Sequence, residues 1–66
     1  MKIENTTLTE EHNGSKVTYV PRHVNGNAAH KDCEGGTIKR FTEHTIFVEY
    51  GTGTAKSTPP ELLVWG

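Results

Sequence analysis

The sequence predicts an all-β domain, a small barrel of about five short strands. Three observations lead there. No apolar residues recur at helical spacing over as many as ten positions. The apolar and β-branched residues cluster in short runs, Val17 to Val20, Ile38 to Phe41 and Ile46 to Tyr50. Turn-forming pairs punctuate those runs: Asn13-Gly14, Asn25-Gly26, Gly35-Gly36 and Gly51-Thr52-Gly53.

The chain has 66 residues, room for one domain. Residues 1–13 read as a polar N-terminal segment, either an edge strand from Ile3 to Leu8 or a fraying end, and residues 14–66 as the barrel. Asn13-Gly14 turns the chain into Ser15–Val20, where alternation puts Val17 and Tyr19 on one face and Lys16 and Thr18 on the other. Pro21 cannot donate to a ladder and ends that strand. A long loop, 21–36, follows. The second strand is expected over Gly36–Phe41, with Thr42-Glu43-His44 as a tight connection to the third, Thr45–Tyr50. The glycines at 51 and 53 lead into Thr54–Ser57. Pro59–Leu63 suits one 3₁₀ turn, because proline is tolerated at a helix start, and Val64-Trp65 closes as a last short strand.

Composition narrows the function classes. Seven basic and eight acidic residues leave a net charge of −1. Non-specific nucleic-acid binding draws its affinity from phosphate neutralisation and usually shows a clear basic excess, so nucleic acid is not a favoured partner. Cys33 is the only cysteine, which excludes a disulfide within the chain and suits a reducing cytoplasm. No apolar run approaches the roughly 20 residues of a membrane span, and the first residues lack the apolar stretch of a signal peptide. No membrane partner is expected.

The long loop concentrates the chemistry-bearing side chains. His23, His30, Asp32, Cys33 and Glu34 lie within it. Their spacing matches no strong zinc pattern and only one cysteine is present, so no metal or other cofactor is expected. A Cys33–histidine nucleophile pair lacks an orienting third group, so the chain is not expected to be an enzyme. The loop and its flanks also carry Arg22, Lys31, Lys39 and Arg40, with Tyr19, His23, His30, Tyr50 and Trp65 as stacking faces. Arginine engages phosphate through paired hydrogen bonds, and the amides of Gly35-Gly36 and Gly51-Thr52-Gly53 have the composition of an anion cradle. The expected ligand-binding set is therefore Tyr19, Arg22, His23, His30, Lys31, Asp32, Glu34, Lys39 and Arg40.

A second surface is expected for self-association. Alternation sends Ile46 and Val48 inward and Phe47 outward. Burying a phenylalanine stabilises by roughly 1.5–3 kcal/mol relative to exposure. Phe47, Leu63 and Trp65 are therefore expected at a homo-oligomer interface.

The order of strand, long loop, three strands joined by tight turns, 3₁₀ turn and final strand resembles the SH3-like barrel plan. Val17-x-Tyr19-x-Pro21-x-His23, Glu34-Gly35-Gly36-Thr37-Ile38, Ile46-Phe47-Val48-Glu49-Tyr50 and the end from Thr58 to Gly66 resemble a group of short bacteriophage-encoded proteins of this class, of no settled activity. That resemblance implies a non-catalytic binding protein in the cytoplasm of a bacterial host. It would engage a host protein or sequester a small anionic ligand, such as a nucleotide, and counter host defence. The alternative is a nucleic-acid- or ribosome-associated SH3-like module. The plasmid-borne type II dihydrofolate reductases are also SH3-like barrels of similar length. Where they carry Val-Gln-Ile-Tyr this chain has Ala55-Lys56-Ser57-Thr58, so their activity is not expected here.

Overall fold

Alternation in the first long strand sets the layout. In β3 (Lys16–Tyr19), Val17 is fully buried and Lys16 is exposed. The computed structural model describes residues 1–66. Seven strands form two sheets. A two-stranded N-terminal hairpin pairs β1 (Lys2–Ile3) with β2 (Thr6–Thr7). The main antiparallel sheet has the order β6-β5-β4-β3-β7, built from β4 (Glu34–Phe41), β5 (Ile46–Glu49), β6 (Ala55–Thr58) and β7 (Leu63–Trp65) around β3. Its edge strands, β6 and β7, do not pair with each other, so the sheet is open.

The core is a single cluster of Ile3, Leu8, Val17, Ile38, Ile46, Val48 and Leu63, flanked by Met1, Tyr19, Phe41, Tyr50 and Trp65. Ile38 and Phe41 both contribute although an odd spacing would place them on opposite faces of a regular strand. A β-bulge resolves this: Ile38 pairs with Val48 and Arg40 with Phe47, leaving Lys39 as the extra residue.

Residues 1–13 form a short hairpin and a 3₁₀ turn in place of one extended edge strand. Glu4, at a left-handed φ of 55°, turns the chain back within the hairpin, and Ile3 and Leu8 enter the core of the main sheet. Thr9 then donates its amide to His12 Nδ1 at 2.9 Å across a 3₁₀ turn, Glu10–His12. Asn13-Gly14 makes the expected turn, with Gly14 at φ 91° and Ser15 donating to the His12 carbonyl.

The long loop is shorter than its composition suggests and is built from successive turns. Arg22–Val24 is a 3₁₀ turn whose Val24 is buried. Asn25 and Gly26, both at positive φ, reverse the chain. Successive turns then close through His30 N–H to the Asn27 carbonyl and Cys33 N–H to the His30 carbonyl, both 3.0 Å. β4 begins at Glu34, two residues before the expected start. The 3₁₀ turn Pro60–Leu62 precedes β7, close to the expected place.

Candidate functional site

Most of the expected loop cluster comes together. His23 Nε2 lies 2.8 Å from Asp32 Oδ2, and His30 Nδ1 lies 3.9 Å from the same oxygen. The two imidazoles meet edge to face at 6.0 Å. His30 Nδ1 also accepts the amide of Asp32 at 3.1 Å. These bonds fold the loop on itself: His23, His30 and Asp32 are already engaged with one another. Cys33 donates its thiol to the Asn27 carbonyl, 3.3 Å away, and not to either histidine. No group of three or more histidine, cysteine or acidic side chains is arranged to hold a metal ion.

The basic residues do not join into one patch. Arg22 pairs with Glu61 at 3.5 Å, an exposed ion pair. Lys31 is exposed in the loop. Lys39 and Arg40 sit at the far end of β4, five and six residues beyond Glu34, which is about 16–20 Å at roughly 3.3 Å per residue. The expected nine-residue ligand set therefore divides into a loop group and a bulge group.

The anion cradle expected in the glycine turns is not free. Glu49 reaches into the 51–53 turn, and its Oε2 accepts the amides of Gly51 and Gly53, the latter at 3.1 Å. Those amides, Gly53 first, hold the Glu49 carboxyl below the usual carboxylate range, with the charge of Lys39 adding to the effect. Gly36 is likewise committed, in a hydrogen-bonded pair with Val17 of the β3–β4 ladder, whereas Gly35 stands opposite Thr18 in a non-hydrogen-bonded pair.

The expected interface residues have occupants within the chain. Phe47 does face outward, but the Arg40 guanidinium lies 4.0 Å above its ring, because the bulge places the two residues directly opposite each other. Such a cation–π contact at an exposed site contributes about 0.5–1 kcal/mol. Leu63 is only 2% exposed and belongs to the core, so it offers no side chain to a partner. It points inward because β7 pairs it with Tyr19, on the same face of β3 as the buried Val17. Trp65 is half-buried: its indole N–H donates to the Ile3 carbonyl at 3.3 Å and its ring lies 5.3 Å from that of His12. No large hydrophobic side chain is left exposed.

What the structure adds is a pair of hollows that share Tyr50. One, of about 240 Å³, is lined by Tyr19, Glu34, Tyr50, Lys56, Thr58 and Pro59. Tyr19 meets Tyr50 edge to face at 6.3 Å, and the Tyr50 hydroxyl is hydrogen-bonded to that of Thr58 at 2.8 Å. Burial pushes the Tyr50 phenol above its ordinary range; the bond to Thr58 opposes this, and the nearby Glu34 charge adds to the rise. The other hollow, of about 390 Å³, includes Lys16, Gly35, Thr37, Glu49 and Gly51 beside Tyr50. Of the expected ligand residues, Tyr19 and Glu34 line the first hollow. Lys16, Lys56 and Pro59 lie outside the expected contacts, and Tyr50 is expected only as a stacking face. For Tyr50 a signal was present: it shares the parity of Ile46 and Val48 and so belongs on the inner side. Lys56 and Pro59 approach Tyr19 only through the β4–β5–β6 pairing.

Comparison of the chain with protein-family models, curated proteins and solved structures finds no match.

Proposed function

We propose that this chain is a non-catalytic binding domain of the SH3-like plan, of the kind found in short phage-encoded proteins. Its role is to engage a protein of a bacterial host, with interference in host defence as the outcome. The SH3-like reading is supported by the strand order: a β4–β5–β6 meander, with β3 pairing both β4 and the last strand, and a 3₁₀ turn before that strand. The open sheet is the departure from a closed barrel.

The observation that carries the binding reading is the hollow at Tyr19, Tyr50 and Pro59, rimmed by the exposed charges of Glu34 and Lys56. It joins half-buried rings to a polar rim, the composition of a protein-recognition site. A protein partner is favoured over a small anion because the amides of Gly51 and Gly53 are occupied by Glu49 and that of Gly36 by the ladder. Nucleic acid is less favoured still, since Arg22 is paired with Glu61 and Arg40 lies on Phe47. Sequestration of a small ligand is the second reading. No helix is long and apolar enough to cross a membrane.

Affinity capture from a bacterial lysate tests this with charge variants that leave the core alone. A partner retained by the wild type and by K31E, but lost by E34K and K56E, supports the reading. A partner equally retained by all four overturns the placement of the site. Native mass spectrometry of the protein as purified from cells reads the second possibility as a retained small molecule.

A further inference from the structure

Gly35 and Gly36 are neighbours in β4 with opposite surroundings. At Gly36 an added Cβ would lie 2.6 Å from Val48 Cγ1 and 2.8 Å from both the Glu49 carbonyl oxygen and Tyr50 Cδ1. The fold requires glycine there. At Gly35 an added Cβ meets nothing within 4 Å, and the backbone is not in the left-handed region. At Gly35 β4 is paired with β3 alone, because its ladder with β5 begins at Thr37, and a glycine there weakens the strand without any gain in packing. A strand glycine often marks a bulge, a tight bend or the close approach of another molecule to the main chain, and the bulge of β4 lies away from Gly35, at Lys39.

The surroundings of Gly35 indicate what approaches. Across β3 it faces Thr18, whose hydroxyl is turned to the Gly66 carbonyl oxygen. Gly51 lines the same hollow. The next row on this outer face is Lys16–Thr37–Glu49, about 7 Å away along the strands. A strip of bare main chain thus lies beside a row that begins with a cation. Glu49 has its carboxylate tied to Gly51 and Gly53, whereas Lys16 takes part in none of the ion pairs of the chain. The uncommitted side-chain charge at the hollow is positive.

We propose that this strip is a contact surface for an acidic, aromatic-bearing segment of a partner protein. A planar ring lies on the Gly35 main chain, where no Cβ holds it off, and a carboxylate of the segment pairs with Lys16. This rests on the protein-binding reading and extends it from the Tyr19 hollow to the other side of Tyr50.

The test is a ¹⁵N-labelled titration of the full chain with two probes, acetyl-Glu-Trp-Glu-amide and acetyl-Lys-Trp-Lys-amide. The expected result is saturable shifts at the amides of Lys16, Gly35 and Gly51 with the acidic probe. Binding should weaken by about tenfold, 1.4 kcal/mol, with the basic probe and in K16E, and disappear in G35V. G35A should fold with a Tm equal to or a few degrees above the wild type. Shifts of equal size with both probes, binding that survives in G35V, or no saturable shift would each overturn the proposal, as would a marked fall in the Tm of G35A. E34K and K56E should bind the acidic probe normally. A lysate partner lost in E34K and K56E but retained in G35V therefore overturns this inference and leaves the Tyr19 site standing.

Discussion

Replacing Gly36 with alanine probes the most tightly enclosed glycine of the chain. The new methyl would sit 2.6–2.8 Å from three atoms, one a carbonyl oxygen of the main chain and one on the fully buried Val48. None is the far end of a flexible side chain. Val48 is held between Ile38 on β4 and Lys56 on β6, and Glu49 pairs with Thr37 and Ala55. Relief therefore requires β4 and β5 to move apart. Overpacking of this kind costs about 1–3 kcal/mol and occasionally more, while the loss of glycine's backbone entropy returns about 0.5–1 kcal/mol. With a main-chain atom in the clash, the upper part of the range applies, giving a net loss of about 2 kcal/mol. At roughly 4–8 °C per kcal/mol for a domain of this size, Tm should fall by about 8–16 °C. Thermal unfolding followed by circular dichroism measures it, with G35A as the matched control. A fall of under about 3 °C in G36A, or one of equal size in both variants, would refute the reasoning from packing.

The other predictions concern the hairpin, the turn and self-association. Ile3→Ala should destabilise by about 2–5 kcal/mol, a large share of the roughly 3–10 kcal/mol expected for 66 residues; a urea midpoint displaced by less than about 1 kcal/mol would remove the hairpin from the core. Glu49 carries a carboxyl whose folded-state pKa is depressed, so its contribution is present above the unfolded-state value and is lost as pH falls through the depressed one. The amide resonances of Gly51 and Gly53 should titrate with a midpoint below the ordinary 4.5, and E49Q should flatten that titration. R40A should uncover Phe47, and sedimentation should show any tendency to associate rising from wild type to R40A and vanishing in a double variant with F47S. An oligomer insensitive to Phe47 would place the interface elsewhere.

Much of the all-β architecture could be read from the chain because alternation and turn chemistry are local. Val17, Ile46 and Val48 face the core as their parity requires, and Asn13-Gly14 and Asn25-Gly26 turn where their backbone freedom allows. The bulge at Lys39 could not be read, because it exists only in the register between two strands. It decides both that Phe41 turns inward and that Arg40 lies over Phe47. The histidine–aspartate group of the loop was visible as composition, but the sequence did not show that Asp32 would be satisfied by His23 and by nothing outside the loop.

The sequence by itself determined a small β domain, its turn positions and the inward faces of Ile46 and Val48, since each follows from side-chain alternation and from residues with special backbone freedom. Only the tertiary structure decided what the exposed and glycine positions are for. Ile3 entered the core through a hairpin, Glu49 filled the turn that resembled an anion site, and two adjacent glycines separated into one enclosed by Val48 and Tyr50 and one open to solvent. The physical reason is that alternation fixes which face a side chain takes, whereas what lies across that face depends on strands far apart in the chain.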